Sequence, residues 1–160
     1  MRFYLAGAIE YSPDLGRAWR QRLAAFLRGL GHDVYDPVED ELKSLTEEER
    51  ANFRGWKKTD LARYRVALRK IIDFDLDVVE HRSDAVIALW DSYAARGAGT
   101  QGELSLAYRR GKPVFLVAAM PVTEISGWIL GCATEVFASF EELEARLASD
   151  LGKSKAAARG

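Results

Sequence analysis

The apolar positions along this chain change period several times, and the changes mark its elements. Short unbroken apolar runs occur at Phe3-Tyr4-Leu5-Ala6, at Ala85-Val86-Ile87-Ala88-Leu89-Trp90 and at Val114-Phe115-Leu116-Val117. Such runs read as strands buried on both faces, the pattern of a parallel sheet. Between them the spacing becomes helical. Over 14–31, Trp19, Leu23, Phe26, Leu27 and Leu30 share one side while arginines take the others, and Gly29 and Gly31 mark the end. A second short strand is expected over 33–36, stopped by Pro37.

Residues 39–70 are dominated by charge and predict a solvated helical layer inserted after the second strand. Thr46 to Glu49 form a capping box, Gly55 suggests a break, and Thr59-Asp60 a new helix start. Phe53, Trp56 and Tyr64 exceed what a solvated face needs, so they either pack on the core or lid a crevice. The helix expected over 59–82 carries an apolar arc of Leu68, Ile71, Ile72, Phe74, Val78 and Val79, with Asp73, Asp77 and Glu80 opposite. Asp75 falls within the arc. A carboxylate there costs several kcal/mol unless it is paired, hydrogen-bonded or protonated. Either the helix bends or ends near Asp75 and lets it reach water, or the apolar face lines a pocket and Asp75 points into it.

After the third strand comes Gly97-Ala98-Gly99-Thr100-Gln101-Gly102-Glu103, which opens a helix over 100–110 that Gly111-Lys112-Pro113 ends. A strand over 114–118 follows, then a loop over 121–131 carrying Trp128, a short strand over 134–137 and an amphipathic helix over 140–151. A basic tail over 152–160 is expected to be frayed. The order predicts one α/β domain over 1–151, a flavodoxin-like (Rossmann-like) three-layer sandwich. Its sheet is five-stranded, mainly parallel and ordered 2-1-3-4-5, with the helical insert after strand 2. Ligands of such sheets bind beyond the carboxyl ends of the strands, at the switch point between strands 1 and 3. That places Tyr4, Gly7 and Ala8 beside Asp91 and the glycine loop, with Glu103 above them.

Composition narrows the classes. At 160 residues the chain fits one domain, and its net charge of -1 gives no reason to expect nucleic-acid or membrane partners. No apolar run reaches spanning length, and Met1-Arg2 leads directly into the first strand without a signal peptide, so a cytoplasmic location is expected. The one cysteine, Cys132, excludes an intrachain disulfide and reads as a small core residue. With His32 and His81 the only histidines, no metal site and no cofactor are expected.

Glu103 supports two readings on spacing alone. Thr100 and Glu103 match a capping box, worth about 1 kcal/mol and requiring no chemistry. The loop also resembles anion-binding helix starts, but a glutamate there repels phosphate and the loop lacks a P-loop lysine. The alternative is a carboxylate aimed into the crevice. Tyr11, Ser12 and Arg17 could hold a phosphate, and helix-start composition explains them equally well.

Several stretches, in order, resemble the nucleoside 2-deoxyribosyltransferase family, which includes related nucleoside and nucleotide N-glycosidases. They are Tyr4-Leu5-Ala6-Gly7, Asp75-Leu76, Ser83-Asp84-Ala85-Val86-Ile87-Ala88, and Gly99-Thr100-Gln101-Gly102-Glu103-Leu104 with Gly111-Lys112-Pro113-Val114. The resemblance implies that Glu103 is the nucleophile that attacks the anomeric carbon and forms a glycosyl-enzyme. It implies that Asp75 acts near the sugar and leaving base, and that Tyr4 contacts sugar and nucleophile. One residue more than the family pattern separates Asp75 from Asp84. Where transferases of the family often carry a further aspartate contacting the base, this chain has Gly97, and Asp91 or Arg96 could substitute. An asparagine that a neighbouring subunit contributes in some members has no match near Trp128.

The expected substrate is a nucleoside or nucleotide with a free nucleobase, and the expected assembly a homo-oligomer, dimer or higher. The expected site comprises Glu103, Asp75 and Tyr4 as catalytic residues, with Gly7, Ala8, Asp91, Gly99, Thr100 and Trp128 around the substrate. N-glycosidic cleavage passes through an oxocarbenium-like state, which a carboxylate beside C1 stabilises. Opposite unit charges about 4 Å apart interact by roughly 4 kcal/mol at an effective dielectric near 20. Capture by a second base makes the enzyme a transferase, most simply a nucleoside 2-deoxyribosyltransferase. Capture by water makes it a hydrolase such as a nucleoside 5′-monophosphate N-glycosidase. A nucleotide-sensing module without turnover is the reading from another class.

Overall fold

The computed structural model describes the backbone of residues 1–40 and 44–157 and the side chains of 1–39 and 44–149. Residues 41–43 of the predicted insert and 158–160 of the predicted tail lie outside the described residues. Five strands, β1 (Arg2–Ala6), β2 (Asp33–Tyr35), β3 (Ala85–Trp90), β4 (Val114–Ala118) and β5 (Glu135–Phe137), form one sheet in the order β2-β1-β3-β4-β5. Every pairing is parallel, so the sheet is parallel throughout. Seven α-helices accompany it among the described residues: α1 (Arg17–Gly29), α2 (Pro37–Asp40), α3 (Glu47–Thr59), α4 (Leu61–Asp77), α5 (Gly99–Arg109), α6 (Gly127–Cys132) and α7 (Phe140–Ala157).

The three layers follow from strand alternation. Successive side chains of a strand point to opposite faces, so Phe3 and Leu5 go one way and Tyr4 and Ala6 the other. Phe3, Leu5, Ile87 and Val117 pack with Leu23 and Leu27 of α1 and Leu143 of α7. On the other face Tyr4, Ala6, Val86, Ala88 and Leu116 pack with Leu104 of α5 and Ile129 of α6, and the buried Cys132 lies in the same core. The alternation therefore sends the Tyr4 side chain toward α5.

Local differences from the expected elements have local causes. α1 starts at Arg17 rather than at 14 because Asp14 closes a turn first, its carboxylate accepting the N–H groups of Gly16 and Ala18 at 2.8 and 3.0 Å. Gly16 follows with φ +69°, a conformation that suits glycine. The Thr46–Glu49 capping box forms as expected, but α3 runs through Gly55 without a break. One interior glycine costs only about 1 kcal/mol relative to alanine, and the burial of Phe53 on this helix outweighs it. Pro37, expected only to stop β2, is also the first residue of α2, where its missing N–H is no loss.

α4 begins where expected, with Asp60 accepting the Arg63 N–H at 3.0 Å. The loop expected over 121–131 instead contains α6, capped by Ser126, which accepts the Trp128 N–H at 3.3 Å. α7 stays helical past 151, to Ala157. Among the described residues no helix is long and apolar enough to cross a membrane.

Candidate functional site

A cleft of about 780 Å³ opens beyond the carboxyl ends of β1 and β3. Its floor is Gly7 and Ala8 after β1, the first turns of α5, and Asp75 from α4. Its wall is the α3–α4 pair, where Phe53, Tyr64 and Ile71 face the opening.

Two carboxylates line the floor, and a tyrosine holds each of them. The Tyr4 hydroxyl donates to Glu103 Oε1 at 2.7 Å. The Tyr35 hydroxyl donates to Asp75 Oδ1 at 3.1 Å. Tyr4 and Tyr35 are register partners on adjacent parallel strands, and their rings stack with centroids 5.3 Å apart at 22°. Neighbouring residues of β1 and β2 thus fix two acids that arrive from different helices.

Glu103 does not cap its own helix. α5 begins at Gly99 with Ala98 as N-cap and no side-chain cap bond, so Glu103 lies too far along the helix to reach back. Its carboxylate is bound by Tyr4 instead. Burial raises the Glu103 carboxyl above its ordinary value, while the Tyr4 hydrogen bond and the Arg20 charge pull the other way. Tyr4 is pushed well above the usual phenol range, first by burial and then by the charges of Glu103 and Asp75. It therefore stays a protonated donor.

α4 neither bends away nor ends at Asp75. It runs to Asp77 and continues as a π turn over Val78–Arg82. Asp75 is buried and lines the cleft, so the pocket reading holds rather than the solvent reading. A π turn takes up one residue more than an α turn. It lies between Asp75 and Asp84 and joins α4 to β3.

Beneath the floor lies Arg20, fully buried. Its guanidinium donates to the carbonyls of Leu5, Gly7, Ala8, Leu15 and Gly16 at 2.8–3.4 Å, tying the β1–α1 loop to α1. Its one ion pair, Nε to Asp36 Oδ1 at 3.6 Å, is loose. Burial raises the Asp36 carboxyl more than Arg20 lowers it. The carbonyl bonds therefore fix Arg20 more firmly than its counter-ion does. Gly7 must lack a side chain here, because a Cβ would stand 2.8 Å from the Trp19 ring and 3.3 Å from the Arg20 guanidinium.

The other expected site residues divide. Gly7, Ala8, Gly99 and Thr100 line the cleft, and so do Tyr11 and Arg96, whose guanidinium lies 4.9 Å from the Tyr11 ring centroid. Asp91 does not line it. Its Oδ1 accepts the N–H groups of Tyr93 and Ala94 at 3.0 and 2.7 Å and caps the following turn. Trp128 is also outside the cleft, 71% exposed, its indole N–H donating to Ser105 Oγ at 2.8 Å.

Ser12 is spent on the local turn with Asp14 and Gly16, and Arg17 stands outside the cleft. Phe53 and Tyr64 stack in parallel and line the cleft, while Trp56 packs with them on Leu45, Ala67 and Ile71. The three aromatics thus form a small separate core that walls the crevice.

Tyr35, Arg20 and the cleft-lining Arg54 and Lys57 are not found by reading the sequence. Arg20 did leave a signal, since it sits three, four and seven residues before Leu23, Ala24 and Leu27 on the buried stripe of α1. Tyr35 could be found only from its strand register with Tyr4.

Among the described residues no group of three or more His, Cys, Asp or Glu is arranged to hold a metal ion. The arrangement offers a carboxylate beside open space, backed by a protonated hydroxyl, and a second buried carboxylate nearby. It can stabilise a developing cation, attack an electrophilic carbon and manage a proton.

Comparison with known proteins bears on the fold and the family. The family model described as Nucleoside 2-deoxyribosyltransferase matches residues 3–143. Among solved structures, the 2-deoxyribosyltransferase of the psychrotolerant bacterium Bacillus psychrosaccharolyticus is similar, with a TM-score of 0.64 and 23% identity over 90% of each chain. The Clostridium botulinum CMP N-glycosidase BcmB is similar with a TM-score of 0.55 and 17% identity, over 92% of this chain and 98% of that one. At these identities the likeness is one of fold. No curated protein matches the sequence.

Proposed function

The chain belongs to the nucleoside 2-deoxyribosyltransferase family, and from that premise we propose that it transfers the sugar of a nucleoside or nucleotide between bases through a glycosyl-enzyme on Glu103. The observation that carries the reading is the Glu103 carboxylate, lining the cleft and held by the Tyr4 hydroxyl at 2.7 Å. In the first step a Glu103 oxygen forms a bond to C1′ as the C1′–N bond breaks. The electron pair leaves with the base, which takes up a proton managed by Asp75. Glu103 neutralises the cationic sugar as it forms, in a cleft where charge is weakly screened. Tyr4 keeps the reacting carboxylate oriented, and Tyr35 does the same for Asp75.

In the second step a base nitrogen attacks C1′ from the face the first base left, its N–H proton passes back to Asp75, and the C1′–O bond returns its electrons to Glu103. When water enters instead, the same intermediate gives free sugar, as in a hydrolase. The two-carboxyl division of labour parallels that of retaining glycosidases. The reading includes a cytoplasmic enzyme of nucleoside or nucleotide metabolism, with 1–151 as its catalytic unit, acting as a dimer or higher homo-oligomer. Supporting self-association, Tyr108 and Trp128 stand 61% and 71% exposed on α5 and α6.

The test is incubation with nucleosides, nucleotides and free bases, with products separated by chromatography. Base exchange, or release of base where no acceptor is supplied, is expected. Glu103→Gln should reduce either by on the order of 10⁴-fold or more while the chain stays folded. Undiminished turnover in that variant removes Glu103 from the mechanism.

A further inference from the structure

The mouth of the cleft is crossed by side-chain contacts. Arg20 binds the carbonyls of Gly7 and Ala8 on one side of the β1–α1 loop and of Leu15 and Gly16 on the other. Both stems of the loop are thus pinned, and Glu10 and Tyr11 lie at the tip between them. These two consecutive residues hold opposite sides of the opening. Glu10 forms an ion pair with Lys57 of α3, and the Tyr11 ring packs under the Arg96 guanidinium that precedes α5. All four residues line the cleft. Lys57 also stands 5.8 Å from the ring centroid of Tyr64 on α4, so the ion pair is continuous with the aromatic wall. We propose that Glu10–Lys57 is a strap that keeps the base in the cleft, and that it decides whether a base or water captures the glycosyl-enzyme.

The inference rests on the proposed function, in which one base leaves and another enters while the sugar stays on Glu103. Bond breaking belongs to the floor, but the choice of acceptor depends on how long a base is kept. While the mouth is closed, a base against Phe53, Tyr64 and Ile71 sits beside C1′ at a high effective concentration and displaces water from that apolar wall. When the mouth opens, the base diffuses away and water takes its place. The strap joins two bodies that can part. The loop is fixed to the central sheet through Arg20, whereas α3 packs with α4 around a small core of its own. The side chains of Lys57 and Glu10 are 45% and 46% exposed. A pair at such a site favours the closed arrangement by a factor of about 5 or less, weak enough to break in every turnover.

Two measurements test this. The first is the ratio of free sugar to new nucleoside formed in the presence of a saturating acceptor base. Glu10→Gln should raise the hydrolysed share by about 2- to 5-fold, and the charge exchange Glu10→Lys/Lys57→Glu should restore the wild-type share. Arg63→Gln breaks another exposed ion pair of the hairpin, with Glu48, that lies outside the cleft. It should leave the share unchanged.

The second measurement is amide hydrogen exchange of the protein alone, which needs no turnover. Amides of α3 around Lys57 should exchange faster in Glu10→Gln by the same factor, while those of β1 keep their rates. A hydrolysed share that is unchanged in Glu10→Gln overturns the strap and leaves the glycosyl chemistry standing. So does a wild type that yields only free sugar with acceptor base present. A share raised equally by Arg63→Gln, or not restored by the charge exchange, assigns the effect to hairpin stability or to charge alone and likewise overturns the strap. Absence of any turnover with faster α3 exchange in Glu10→Gln overturns the chemistry and leaves the strap as a closure. Unchanged α3 exchange overturns the strap whatever the turnover.

Discussion

Two cation–carboxylate contacts, one under the floor of the cleft and one on its wall, show how differently the two regions are built. Arg20 in the floor is fully buried, stands 3.6 Å from Asp36 and spends its N–H groups on five backbone carbonyls. Lys70 on the wall binds both oxygens of Glu49 at 2.7 and 2.9 Å, and its side chain is 40% exposed. By distance the second pair is the better one. By consequence it is the lesser, because an exposed pair is worth at most about 1 kcal/mol whereas removing a buried charge orphans everything it holds. The floor fixes Glu103 and Asp75 through hydrogen bonds from Tyr4 of β1 and Tyr35 of β2. The wall has its own small core of Leu45, Phe53, Ala67 and Ile71, and surface ion pairs tie its helices together.

Arg20→Met should sharpen that contrast most. Removing the cation leaves five carbonyls short of a donor and Asp36 without its counter-ion, and a loss of roughly 3–5 kcal/mol is expected in urea unfolding. Turnover should also fall, because Gly7 and Ala8 lose their anchor. A loss below about 1 kcal/mol would place floor and wall on the same footing.

A smaller effect is expected from Glu103→Gln read as a stability variant. The folded carboxyl lies above its unfolded value because it is buried. The native state therefore holds the proton more tightly than the unfolded chain. Its stabilising contribution is complete below about pH 4.3, the ordinary glutamate value, and is lost as pH rises through the raised folded value. Glutamine still accepts from Tyr4 but never ionises. The variant should gain stability relative to the wild type as pH rises across that window, seen as a rising difference in urea midpoint. A difference that is flat with pH would mean that Glu103 is not desolvated. The smallest change belongs to the wall, where Lys70→Met should alter stability by less than about 1 kcal/mol and leave the pH dependence of turnover unmoved.

Most of the fold was legible because the signals were long or topological. The buried runs of β1, β3 and β4 and the helical stripe of α1 each span enough residues to show their period. The rules for parallel sheets then leave few strand orders. α6 was not legible, since Gly-Trp-Ile-Leu-Gly-Cys is too short to show a period and its start depends on one serine.

The site divides on the same principle. Tyr4, Asp75 and Glu103 could be brought together on paper because topology alone gathers strand ends and helix starts. Tyr35 and Arg20 could not, because cross-strand register and bonds to carbonyl oxygens leave no linear pattern. Asp91 and Trp128 stand outside the cleft for a related reason. Adjacent backbone N–H groups claim the Asp91 carboxylate, and Ser105 holds the Trp128 indole over the α5–α6 surface.

The separate small core under Phe53, Trp56 and Tyr64 makes the α3–α4 hairpin a natural graft. Exchanging its part before Asp75 for a hairpin of similar length would present a new face to whatever lies in the crevice while Tyr4, Glu103 and Asp75 keep their places beneath. Ligand preference and reaction type are then inherited from different stretches of chain, and a laboratory recombining such proteins could shuffle one without rewriting the other.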